Sequence, residues 1–140
     1  MSERLIVLDS HIWFWWINLE NSRFPDFLIP WIENADQVGV SSVSCFELAL
    51  AVQKGRLTLP MSPGEWFEYA LAKSGIRLLS LSPQIAMRAV ELCPVHRDPF
   101  DRIIIATALE WNAKLASLDG KFKNYPELSG TLLHKDEKWR

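Results

Sequence analysis

The chain has 140 residues, 49% of them apolar, and a formal net charge of −2. That length and composition fit one folded domain with a real core and exclude a disordered chain or two ordinary domains. The charge excludes a polyanion binder working through its overall field, so any nucleic-acid chemistry must rest on a local basic patch or on metal ions.

In chain order, Arg4 to Leu8 is a short apolar run of strand formers, ending at Asp9-Ser10, a helix start signal. A strand this early predicts that no secretory leader precedes it. Ser10 to Asn18 reads as a helix carrying Trp13, Phe14, Trp15 and Trp16. The apolar run from Ile12 to Ile17 falls far short of the ~20 residues a membrane span needs. Pro25 opens a second helix ending near Asn34-Ala35-Asp36, and Gln37 to Val40 reads as a second strand. Ser41 or Ser42 caps a helix from about Val43 to Lys54, with Gly55 as its stop. Ser62-Pro63-Gly64-Glu65 starts a helix to Lys73, stopped by Gly75. Arg77 to Leu81 is a third strand, and Ser82-Pro83 starts a helix to about Leu92. Asp98-Pro99 starts the helix from Pro99 to about Asn112. Lys114 to Leu118 is a fourth strand, and Thr131 to Leu133 a candidate fifth.

Alternating strands and helices predict an α/β fold, a mostly parallel four- to five-stranded sheet covered by helices on both faces. Residues 1–134 read as one domain and Lys135 to Arg140 as a solvated charged tail. Cys45 and Cys93 fit no zinc spacing and read as reduced thiols of a cytoplasmic protein.

In parallel sheets, ligands bind beyond the carboxyl ends of the strands. Asp9 follows strand one and Asp119 follows strand four. Glu47 lies on the second turn after strand two, and Asp98 and Asp101 open the helix before strand four. All five acids can therefore reach one sheet edge. Each also has a local reading: Asp9 and Asp98 as helix caps, Asp119 beside Gly120 as a turn residue, Glu47 as a partner for Lys54. Asp101 profits from the helix dipole at its position. The dipole does not explain why Asp101 shares a face with Ile104, Ile105 and Ala108, where an unpaired carboxylate is costly.

Clustered carboxylates repel, and the relief is protonation or a bound cation. All-oxygen donors without a thiolate or histidine pair favour Mg²⁺ or Mn²⁺, ions suited to phosphate chemistry. Ser42 and Ser44 can cap the helix or bond a water held by the ion. His11 and His96 lack metal spacing and read as loop or packing residues, His134 belongs to the tail, and the Trp13, Trp15 and Trp16 cluster reads as core.

The ordered segments Leu8-Asp9-Ser10-His11-Ile12-Trp13, Ser41 to Ala49, His96 to Ala106 and Leu118-Asp119-Gly120-Lys121-Phe122 resemble PIN-domain proteins, especially the VapC-type toxins of toxin–antitoxin pairs. The resemblance spans nearly the whole chain. It implies a three-layer α/β/α sandwich and a Mg²⁺- or Mn²⁺-dependent endoribonuclease. It further implies a homodimer and an antitoxin partner that inserts peptide into the acidic groove. By position, Asp9, Glu47, Asp101 and Asp119 match the family's acidic quartet, and Asp98 is an additional acid holding metal directly or through water. A rival reading is a non-catalytic module that keeps the pocket to bind a partner peptide or nucleic acid. A phosphatase of the haloacid dehalogenase type needs a second Asp two residues after the first, where this chain has His11.

Overall fold

The computed structural model describes residues 4–19, 22–95 and 97–137. The expectation about a leader, the reading of His96 and the last three residues of the charged tail therefore lie outside the described residues.

Four strands form one sheet: β1 (Leu5–Leu8), β2 (Gln37–Ser41), β3 (Arg77–Leu79) and β4 (Lys114–Ala116), in the order β3-β2-β1-β4. Every pairing is parallel, with Leu8 opposite Val40 and Ala116, and Ser41 opposite Leu79. The expected fifth strand is corrected. Thr131 to Leu133 makes one isolated bridge, Leu132 to Leu115, and then turns away. Its backbone bonds to Leu115 on both sides of that bridge, but two short 3₁₀ turns at Phe122–Asn124 and Pro126–Leu128 consume the chain that a longer pairing would need.

β1 is buried at all four positions, and its alternation divides them between two cores. Ile6 and Leu8 pack with Trp13, Trp31, Val40 and Trp66 on one face. Leu5 and Val7 pack with Ile104, Ile105, Leu115 and Phe122 on the other. Helices cover both faces, as expected for parallel strands of near-continuous apolar sequence. They are α1 (Ser10–Ile17), α2 (Ile29–Glu33), α3 (Ser42–Gln53), α4 (Pro63–Glu68), α5 (Pro83–Glu91) and α6 (Pro99–Glu110). Among the described residues, no helix is long and apolar enough to cross a membrane.

The start signals are realised as hydrogen bonds. Ser41, Ser62, Ser82 and Asp98 each accept a backbone N–H at the head of α3, α4, α5 and α6. Ser42 instead accepts from Leu81 N at 3.2 Å, tying the exit of β3 to α3. Gly55 ends α3 at φ 73°, a conformation costly for a side chain with a Cβ. Two helices differ from expectation. The segment after Pro25 begins as a 3₁₀ turn, Asp26–Leu28, before α2. The helix after Ser62 loosens into a π-helical turn at Tyr69–Lys73, closed by Ile76 N donating to Leu71 O.

α6 is tied to α5 by Arg102. Its guanidinium donates to the carbonyls of Ala89, Val90, Leu92 and Cys93 at 2.9–3.2 Å. A cation there satisfies the orphan carbonyls of the α5 terminus and opposes its negative dipole end. The neighbouring residue, Asp101, is thereby held on a fixed helix.

Candidate active site

β1 is flanked by β2 and by β4, so the chain reverses its direction of growth across the sheet at β1. The crevice beyond the carboxyl ends at such a reversal is where α/β sheets bind ligands. A cavity of about 550 Å³ opens there, and all five expected acids, Asp9, Glu47, Asp98, Asp101 and Asp119, line it.

Asp9 extends β1 by one bond, its N–H donating to Ala116 O at 3.0 Å. Its side chain accepts from Ile12 N at 2.9 Å, so it does cap α1 while facing the cavity. Burial pushes its carboxyl up to about 6, against the lowering influence of Ser117, the Ile12 amide and His11. Asp101 is pushed further, to about 7, first by burial and then by repulsion from Asp98, Glu47, Asp119 and Asp9. The apolar neighbours that made Asp101 anomalous, Ile104, Ile105 and Ala108, are core residues.

Asp98 accepts from Phe100 N at 2.9 Å and lines the cavity, so its cap and its place at the site coexist. Asp119 likewise combines a turn with the site, its Oδ1 accepting from Lys121 N and its N–H donating to Ser117 Oγ. Glu47 does not pair with Lys54. It accepts from Ser10 Oγ at 2.6 Å, while Ser10 and Ser44 hydroxyls stand 2.8 Å apart. A carboxylate can only accept and a serine has one hydroxyl proton, so Ser10 donates to Glu47 and Ser44 donates to Ser10. Ser44 thus acts through Ser10, and Ser42 lies apart with Leu81.

Local sequence reasoning missed Ser10, Ser117 and Trp15. Trp13 is fully buried as expected, but Trp15 is part of the cavity wall beside His11, their rings 5.9 Å apart. Ser10 and Ser117 carry no pattern of their own, and only strand pairing brings them beside the acids. His134 stands 3.4 Å from Asp136, in the tail.

Among the described residues, no three Asp, Glu, His or Cys side chains form a ready-made metal cage. Mg²⁺ does not need one, because it keeps several waters and takes one or two carboxylates plus phosphate oxygens. An all-oxygen set in which burial, and then mutual repulsion, raises a carboxyl to about 7 suits a hard cation.

A profile of the PIN domain matches residues 6–128. The chain belongs to the PIN-domain family. Ribonuclease VapC22 of Mycobacterium tuberculosis is 33% identical to it over 121 residues, 86% of this chain and 91% of the relative. Among solved structures, VapBC2 from Rickettsia felis bound to a promoter DNA fragment is similar, with a TM-score of 0.65 at 22% identity, covering 97% of this chain and 99% of that one. VapBC-1 from nontypeable Haemophilus influenzae gives a TM-score of 0.63 at 16% identity, covering 95% and 99%. These likenesses support the PIN fold read from the sheet order and the two cores.

Proposed function

We propose that this PIN-domain protein is a metal-dependent endoribonuclease, the toxin of a toxin–antitoxin pair acting in the cytoplasm. The observation that carries the reading is the convergence of five acids on one cavity at the sheet reversal. The ribonuclease relative and the VapBC neighbours support it. In this reading Asp9 and Asp101 hold Mg²⁺ or Mn²⁺, and Glu47 and Asp119 complete the site directly or through water. Asp98 adds negative charge at the rim. When bound, the ion supplies positive charge for phosphate oxygens and acidifies water for in-line attack on the phosphodiester.

The chain's own part is positioning. Ile12 N and Ser117 orient Asp9, Ser10 pins Glu47, and the Asp98 cap fixes the first turn of α6 on which Asp101 stands. A partner antitoxin and a homodimer belong to the same reading. Similar folds in VapBC and toxin–antitoxin complexes support the antitoxin, whereas the homodimer rests on the family resemblance alone.

The test is Asp9→Asn, refolded and supplied with Mn²⁺, against wild type on cellular RNA. The expected loss of cleavage is at least about a hundredfold, the scale of removing a main electrostatic contributor. Cleavage by the variant at the wild-type rate would overturn the assignment. A Mn²⁺ titration that shows binding to wild type without any cleavage would favour the non-catalytic module.

A further inference from the structure

A second groove, of about 290 Å³, leaves the acidic cavity and shares Ser10, His11, Glu47 and Asp98 with it. Its remaining walls are apolar, with Phe14, Leu48, Leu57 and Phe100 among them, and they carry Lys54 and Arg56. Both cations are exposed. Neither side chain has an ion-pair partner among the described residues, in contrast to Arg88 with Glu110 and Lys114 with Glu137. Lys54, the C-cap of the helix that carries Glu47, follows it by seven residues, about 10 Å along the axis at 1.5 Å per residue.

We infer that this groove holds the single-stranded RNA on one side of the scissile bond, with Lys54 and Arg56 binding a flanking phosphate. The inference rests on the ribonuclease reading and names where the substrate runs. A strand anchored by one phosphate at the acidic cavity and leaving through this groove would run past the two cations. The near-neutral protein offers no overall field to hold it. A charged groove with an aromatic wall is the arrangement that tracks single strands without reading their sequence. Phe100 supplies such a wall, and Phe46 leans against it at 5.3 Å while remaining 58% exposed. A basic inhibitory peptide is the other candidate occupant. It would complement the acids but be repelled by Lys54 and Arg56, so the observations favour RNA.

The experiment compares wild type, Lys54→Ala/Arg56→Ala and the charge control Lys73→Ala. Binding of a labelled single-stranded RNA of mixed sequence is measured in Ca²⁺, whose loose coordination accepts phosphate oxygens but positions attacking water poorly. The double variant should bind about tenfold more weakly. Its dependence of log affinity on log salt should flatten by about 0.7, the value for one phosphate contact on a single strand. Lys73→Ala should match wild type, and thermal melts verify folding of all three. Equal affinity and equal salt dependence in the double variant overturn the inference, as does absence of RNA binding by wild type. Intact RNA binding together with tighter binding of a basic peptide by the double variant would assign the groove to a protein partner instead. Cleavage of cellular RNA by wild type with Mn²⁺ is scored separately. Its failure sinks the ribonuclease reading, whereas cleavage with an indifferent double variant sinks this subsite alone.

Discussion

Asp101 is a half-buried carboxyl facing four others, and the energetics follow from its charge. Asp9 and Asp101 both titrate higher in the folded protein, at about 6 and about 7, than near 3.8 in an unfolded chain. The folded state therefore binds more protons than the unfolded state between about pH 4 and 7, and metal-free stability falls as pH rises through that window. Asp101→Asn removes the repelled charge while keeping the shape. In the metal-free protein it should raise the melting temperature by about 2–5 °C at pH 8, with the gain vanishing near pH 4. A lower melting temperature at pH 8 would mean that the helix-dipole benefit of the carboxylate outweighs its repulsion. The local reading of Glu47 fails at this same scale. Sequence proximity offers Lys54, but the partner is Ser10, 37 positions away, because the parallel pairing of β1 and β2 sets α1 beside α3.

The first turn of α6 has two functions that substitutions separate. Asp98 caps the helix through Phe100 N and also repels Asp101. Asp98→Ala removes both effects and Asp98→Asn only the repulsion, since Asn is an equally good cap. A lost cap costs about 1 kcal/mol, so Asp98→Ala should melt about 3–5 °C below Asp98→Asn, with Asp98→Asn at or above wild type. Calorimetry of the metal-free proteins at pH 8 checks the order. Elements marked by such caps were legible in the sequence, because a serine or aspartate before a proline acts through bonds only two or three residues long. The π-helical turn at Tyr69–Lys73 was not, nor was the 3₁₀ start of the segment after Pro25. Their backbone form is set by packing, as where Ala70 is buried in the core and its carbonyl accepts from Trp13 Nε1. The expected fifth strand failed for a similar reason. Its β-branched and apolar residues permit pairing, but the turns before it leave room for a single bridge.

Across the whole molecule, the sheet order makes the acids a set. Alternating apolar runs revealed parallel strands and the rule for their carboxyl ends, and these located Asp9 and Asp119 from sequence alone. The wall formed by Trp15 and the hydroxyls of Ser10 and Ser117 became visible only with the helices docked. A cation binding this set stabilises the fold by mass action, about 2.7 kcal/mol at a hundred times its dissociation constant. Adding Mn²⁺ at pH 8 should therefore raise the wild-type melting temperature by about 5–10 °C and leave Asp9→Asn nearly unmoved. An equal rise in both proteins would place the ion elsewhere.

The adjacency of β1 and β4 also bears on how the protein comes to exist. Asp9 follows β1 and Asp119 follows β4, far apart in the chain, yet these strands lie side by side. During synthesis the chain passes through β2, β3 and α1 to α6 before β4 can close against β1. A nascent chain stalled before Lys114 lacks one wall of the acidic crevice, whatever else has folded. The order of translation thus delays assembly of the acidic crevice until β4 has been made.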